Sequence, residues 1–113
     1  MSYYIISLKH SKPKDLYLTL WRPDNAGYCY SKQMAGCYET PEEGYHNSES
    51  SMPITVEQAE KLFIKADWDG EERDMIPNSP AIWAILGVKI DRRMYGLKRT
   101  GKALKKLLGI AYK

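Results

Sequence analysis

Five side chains have types that could do chemistry. Cys29, Cys37, His10 and His46 are the residue types of a four-ligand zinc site, or of a thiol nucleophile with an imidazole base, and Asp24 could add a carboxylate. Their spacing supports none of these. Seven residues separate the two cysteines, where redox and zinc motifs place two, and no flanking pattern joins them to either histidine. The expectation is therefore reduced, partly buried structural thiols, with no metal, no cofactor and no catalytic residue, and a chain that is not an enzyme. Asp24, His10 and His46 are the only acid–base candidates.

Charge is the stronger signal. The net +3 of the 113 residues hides a partition: residues 1–38 carry +3, residues 39–74 carry −8 and residues 75–113 carry +8. Either the acidic and basic regions pair within the molecule, or they form two oppositely charged faces for partners. Asp67, Asp69, Glu71, Glu72 and Asp74 concentrate the negative charge. Such a run is either a solvated loop or a patch that meets a basic groove; "DWDGEERD" lacks the remaining ligand positions of a calcium loop. The positive charge gathers at Lys98, Arg99, Lys102, Lys105 and Lys106.

One domain of α+β class must position these groups. An N-terminal antiparallel sheet of three to four strands is expected over about residues 3–38. "SYYIISLKH" reads as its first strand, and "DLYLTLWR" as a second, with Leu16, Leu18 and Leu20 on one face and Tyr17, Thr19 and Trp21 on the other. The chain should reverse at "RPDNAG" and return as "GYCYS", with Tyr28 and Tyr30 on one face; "AGCYE" continues that strand past a bulge or begins a short fourth. The aromatic face of Tyr17, Trp21, Tyr28 and Tyr30 is then either packed under a helix or an exposed platform.

Two to three helices should follow. "TPEEGYHNSESSMP" reads as a long exposed loop, and Thr55 with Gln58 forms a capping box that opens a helix over about 56–66. Ser79 and Pro80 open a short buried helix near 80–87, whose Ile82, Trp83, Ile85 and Leu86 should be core. From Leu97 a basic amphipathic helix is expected, with Leu97, Leu104, Leu107 and Leu108 on one face and the five basic residues opposite. The acidic part thus spans about 39–74 and the basic helical part about 79–109. The apolar runs "YYII" and "PAIWAILGV" are too short to cross a bilayer, and "MSYYIISLKH" lacks a secretory leader pattern, so a cytoplasmic protein is expected.

At "ISLKH", "LTLWRPDNAGYCY" and "AGCYE" the chain resembles a group of small bacteriophage and prophage proteins, over roughly residues 5–38. The resemblance implies a non-enzymatic protein that binds and inhibits or modulates a host macromolecular machine, with an anti-CRISPR acting on a nucleic-acid-guided nuclease complex as one form. On that reading Asp67, Asp69, Glu71, Glu72 and Asp74 meet the partner's basic groove, and Trp21 and Tyr28 are anchors. The alternative is a nucleic-acid-binding accessory protein. There Lys98, Arg99, Lys102, Lys105 and Lys106 would neutralise phosphates while Tyr17 and Tyr30, with Trp21 and Tyr28, stack on bases.

Overall fold

In the computed structural model, which describes residues 1–101, the centre is β1 (Tyr3–Ser7), paired antiparallel with a strand on each side. One side holds β2 (Thr19–Trp21) and beyond it β3 (Tyr28–Cys29); the other holds β4 (Ser51–Thr55), giving the order β3-β2-β1-β4. Ile6 stands opposite both Leu20 and Met52, Leu20 opposite Cys29, and Tyr4 opposite Ile54. Because side chains alternate along a strand, this register lines one face with apolar residues. They form the core with Leu8, Leu18 and Leu62, and the helices α1 (Val56–Glu60) and α2 (Pro80–Leu86) lie against it. Burying each such side chain fully contributes about 1.5–3 kcal/mol.

The opposite face is different in kind. Ser7 stands opposite Thr19 and Ser51, and Trp21 opposite Tyr28, so hydroxyls and aromatic rings share this side of the sheet.

The expected reversal at "RPDNAG" is present. Pro23–Asn25 makes one 3-10 turn, Asp24 and Asn25 take positive φ, and Arg22 N–H donates to Gly27 O at 2.8 Å. Asp24 is exposed at this tip.

The expected order of a sheet followed by two to three helices is overturned. The chain has eight strands in three sheets and two α-helices, both short, over the described residues. Three local causes account for it. First, "AGCYE" forms no fourth strand and makes only an isolated bridge from Tyr38 to Tyr3, whereas β4 comes from "SMPIT", in which Met52 and Ile54 alternate into the core. Pro53 is tolerated there because β4 lies at the sheet's edge, where a missing N–H removes no ladder bond.

Second, the helix expected over 56–66 opens as read, with Thr55 Oγ1 accepting from Gln58 N–H at 3.0 Å, but it ends at Glu60. Residues 64–75 instead pair as β5 (Ile64–Trp68) and β6 (Glu71–Met75). Asp69 (φ 56°) and Gly70 (φ 80°) connect them, and two central residues at positive φ suit the twist of a two-residue hairpin.

Third, Leu97, Lys98 and Arg99 belong to a strand and not to a helix. β7 (Val88–Asp91) and β8 (Gly96–Arg99) pair antiparallel, with the Asp91 side chain accepting from Arg93 and Met94 N–H in the connection. Leu97 is buried in the core from this strand. The remainder of the expected basic helix, including Lys102, Lys105 and Lys106, lies outside the described residues. Among the helix residues expected in the core, Ile85 is exposed, and Ile82, Trp83 and Leu86 are half-buried.

β8 seats against the end of β1 by backbone contact. Leu97 N–H donates to Leu8 O at 2.9 Å, and a Cβ on Gly96 would stand 2.6 Å from Lys9 O and 3.1 Å from Leu8 O. Neither neighbour is a movable side chain. Gly96→Ala should therefore lower stability by about 1–3 kcal/mol, the range of core overpacking, measured as a fall in the urea midpoint. An unchanged midpoint would show that β8 is not held this closely.

Candidate functional site

The five acidic residues singled out in the sequence share the β5–β6 hairpin, and its register sorts them by face. Lys65 stands opposite Asp74 and Asp67 opposite Glu72, while Ala66 faces Arg73 and Trp68 faces Glu71. Lys65, Asp67, Glu72 and Asp74 thus occupy one face, with Lys65 Nζ 3.3 Å from Asp74 Oδ1 and 3.9 Å from Glu72 Oε1. On the other, Arg73 bonds Glu71 at 3.0 Å, and Trp68 lies with its ring 5.3 Å from Tyr30 and 6.3 Å from Tyr17. Asp67, Asp69 and Glu72 are exposed.

Asp74 has a different task. Its carboxylate accepts from Gln33 Nε2 at 2.9 Å, its N–H donates to Gln33 Oε1, and its carbonyl accepts from Lys32 N–H at 2.8 Å. These bonds fasten the hairpin to the turn after β3. The Gln33 amide, aided by Lys65, holds the Asp74 carboxyl below its usual value.

Of the expected aromatic anchors, Trp21 is buried at 6% exposure, whereas Tyr28 is 45% exposed. Trp68 was not anticipated. It is 40% exposed, and with Tyr17, Tyr30 and the exposed Leu16 it forms an aromatic and apolar edge next to the acidic hairpin. Its sequence signal was its place directly before Asp-Gly.

The expected phosphate contacts fare otherwise. Arg99 is buried, and its Nη1 donates to Asn47 Oδ1 at 2.8 Å. Burial lowers its pKa despite the opposing pull of Glu43. Lys98 is half-buried on β8.

The histidines and cysteines do not converge. His46 is buried against the Trp21, Tyr38 and Tyr45 rings; its Nδ1 accepts from Glu42 N–H and its Nε2 meets Asn25 Oδ1, both at 2.8 Å. Because Nδ1 accepts, Nε2 carries the proton and donates to Asn25. The expected exposed loop over 40–53 is thereby pinned across the sheet's polar face, and its last residues, from Ser51, are in β4. Cys29 is buried with its thiol on Ser31 O, and burial raises its pKa, whereas Cys37 is exposed. Among the described residues no three His, Cys, Asp or Glu side chains gather as a metal site.

The pinned loop and the sheet enclose a cleft of about 350 Å³. His10 stands at its rim with Nδ1 2.8 Å from Ser7 Oγ and its ring 4.2 Å from that of Tyr28. Burial, then Lys9 and Lys12, lowers the His10 pKa, which favours the neutral ring. Ser7 is buried at the end of β1, and among the described residues no carboxylate orients His10, so the pair lacks the third member of a hydrolytic triad. Trp21, Tyr28, Tyr45, Ser48, Ser50 and Ser51 also line the cleft.

The depressed carboxyl of Asp74 sets a direction for acid sensitivity. Its stabilising contribution is complete above the unfolded-state value of about 3.9 and is lost as pH falls through the lower folded value. Below about pH 4, stability should fall more steeply in the native protein than in Asp74→Asn, as read by urea unfolding across an acid series. Parallel curves would show that the carboxylate does not fasten the hairpin.

Among the described residues, no helix is long and apolar enough to cross a membrane. Comparison with protein-family models, with curated proteins and with solved structures finds no match to this chain.

Proposed function

We propose that this chain is a small non-enzymatic binding protein whose β5–β6 hairpin docks on a basic surface of a macromolecular partner and so inhibits or modulates it. One observation carries the reading: Asp67 stands directly opposite Glu72 on an exposed strand pair. Like charges placed so destabilise a sheet, where an opposite-charge pair would add about 0.2–1 kcal/mol. Lys65, at 3.9 Å from Glu72, offsets this only in part. A hairpin whose sole task was to cover the core would gain from losing either acid. A basic partner turns the liability into attraction.

The neighbouring Trp68, Tyr17 and Tyr30 supply what the charges lack. Surface carboxylates speed encounter and select the partner, whereas half-buried aromatic rings provide most of the holding energy at protein interfaces. Nucleic acid suits this edge poorly, because its phosphates would meet the five carboxylates of the hairpin. The setting we favour is that of the small phage proteins that residues 5–38 resemble: the partner is a host machine in the host cytoplasm. A nucleic-acid-guided nuclease complex, with its basic channel, is the narrowest form of that proposal.

Asp67→Lys and, separately, Glu72→Lys each convert the like-charge pair into an opposite-charge pair. Asp67→Lys should hold or raise stability by about 0.2–1 kcal/mol. Glu72→Lys, which also sets a second ammonium beside Lys65, should leave it nearly unchanged, and both should weaken partner binding about tenfold or more. The tagged chain would be used to capture partners from nuclease-treated bacterial lysate at high salt, beside both variants. A discrete complex retained by the native chain and lost by both well-folded variants is the expected result. Equal capture by all three would remove the hairpin from the interface, and capture abolished by nuclease would replace the protein partner with nucleic acid.

A further inference from the structure

The cleft on the polar face of the sheet is independent of the hairpin, and its lining has a distinct chemistry. Trp21 is buried at its base, with Tyr28 and Tyr45 meeting it edge-on at ring distances of 5.9 and 5.1 Å. Both tyrosines are nearly half exposed, with a histidine ring against each, His10 at 4.2 Å from Tyr28 and His46 at 4.9 Å from Tyr45. The Nε1–H of Trp21 is buried without a hydrogen-bond partner among the described residues, a cost that folds seldom leave in place without a reason.

The polar lining consists of donors and neutral groups. Lys9 is exposed at the rim, and Ser48, Ser50 and Ser51 add hydroxyls, while no aspartate or glutamate lines the cleft. The chain has fourteen acidic residues, of which Glu49 and Asp91 line the next pocket, on the other side of Lys9. The volume of about 350 Å³ falls within the range of small-molecule sites, about 300–1,000 Å³. A ligand with a flat ring and an attached anion would use both halves of the lining: tyrosine faces for the ring, and Lys9 with the serine hydroxyls for the charge.

We infer that this cleft is a binding site for a nucleoside phosphate, with the base stacked on Tyr28 or Tyr45 and the phosphate beside Lys9. Free nucleotides and the terminal nucleotide of a single strand present the same chemistry. The neutral state favoured for His10 adds a ring to the lining without adding a fixed charge.

The full chain would be titrated with AMP, GMP, CMP and UMP, with the matching nucleosides, with inorganic phosphate, and with a short single-stranded oligonucleotide carrying a terminal phosphate. Heat of binding and amide NMR shifts would be read in parallel. At least one monophosphate should bind with shifts centred on residues 7–10, 44–45 and 48–51. Tyr45→Ala should weaken it about tenfold, the lower part of the range for one base–aromatic stack. Lys9→Ala should weaken the monophosphate but not the nucleoside. Both side chains are exposed, so an unchanged thermal melt would establish that the variants fold. Preference for the monophosphate over the oligonucleotide would assign the site to free nucleotides, and the reverse to strand ends. Absence of saturation by any of these probes up to about 10 mM, phosphate binding as tightly as the nucleotides, or binding unchanged in both variants would overturn the assignment.

Discussion

β1 is paired along its whole length with β4 and at Ile6 and Ser7 with β2, and both of its faces are buried. That double demand organises the molecule. Tyr4 and Ile6 must find an apolar layer, and they find it in α1, α2, Ile76 and Leu97. Ile5 and Ser7, pointing the other way, need a second cover, which a small chain has few residues to supply. The segment from Tyr38 to Ser50 supplies it with turns and hydrogen bonds in place of a helix. His46 is its rivet, since one ring satisfies Glu42 N–H and Asn25 Oδ1 while packing on Trp21. A cover fastened at such points rather than by continuous packing leaves space beneath it, and the cleft is that space.

The same constraint decides where the hairpins sit. The remaining strands do not extend the main sheet; they pair among themselves as β5–β6 and β7–β8 and attach to the rest at a few points each. β6 attaches through Met75, which bridges to Ser31, and through Ile76 O, which accepts from Leu18 N–H at 2.9 Å. β8 attaches through Leu97 and through the buried Arg99, whose N–H donates to Glu49 O at 3.3 Å and whose Nη1 donates to Asn47. Beyond those points each hairpin stands largely in solvent, which is why Trp68, Ile90, Met94 and Tyr95 remain exposed despite their apolar character.

Much of the first half was legible because its signals are local. The alternation of Leu18 and Leu20 against Thr19 and Trp21, the turn at "RPDNAG", and the capping box of Thr55 and Gln58 each act within a few residues, and each appears in the structure. Leu16 departs from that alternation at 74% exposure because β2 begins only at Thr19. The failures came where pairing over a distance overrides a local pattern. Val56, Ala59, Leu62 and Phe63 recur at helical intervals, yet the Asp-Gly step at 69–70 lets residues 64–68 gain a strand partner, and pairing ends the helix early. Counting acids in "DWDGEERD" hid the most specific two-residue hairpin signal in the chain. The pairing of Leu97 with Ile90 was equally hidden by a leucine and lysine pattern that continues beyond the described residues.

The site divides along the same line. The acidic cluster was visible as composition, but only the register shows that Asp74 and Glu71 are engaged by Gln33 and Arg73 while Asp67 and Glu72 oppose each other. The ion pairs of the described residues bear on the charge partition. Lys32 pairs with Glu60 at 2.6 Å, and the other ion pairs lie within the β5–β6 hairpin. Among the described residues none joins the acidic 39–74 to the basic residues after 75. Arg99 nevertheless feels the pull of Glu43, and Asn47 links them, accepting from Arg99 Nη1 at 2.8 Å and donating to Glu43 Oε1 at 2.9 Å. Since exposed ion pairs stabilise a fold by at most about 1 kcal/mol each, the exposed Asp67, Asp69 and Glu72 of the hairpin offer the fold little by themselves. Their field acts on whatever approaches from outside.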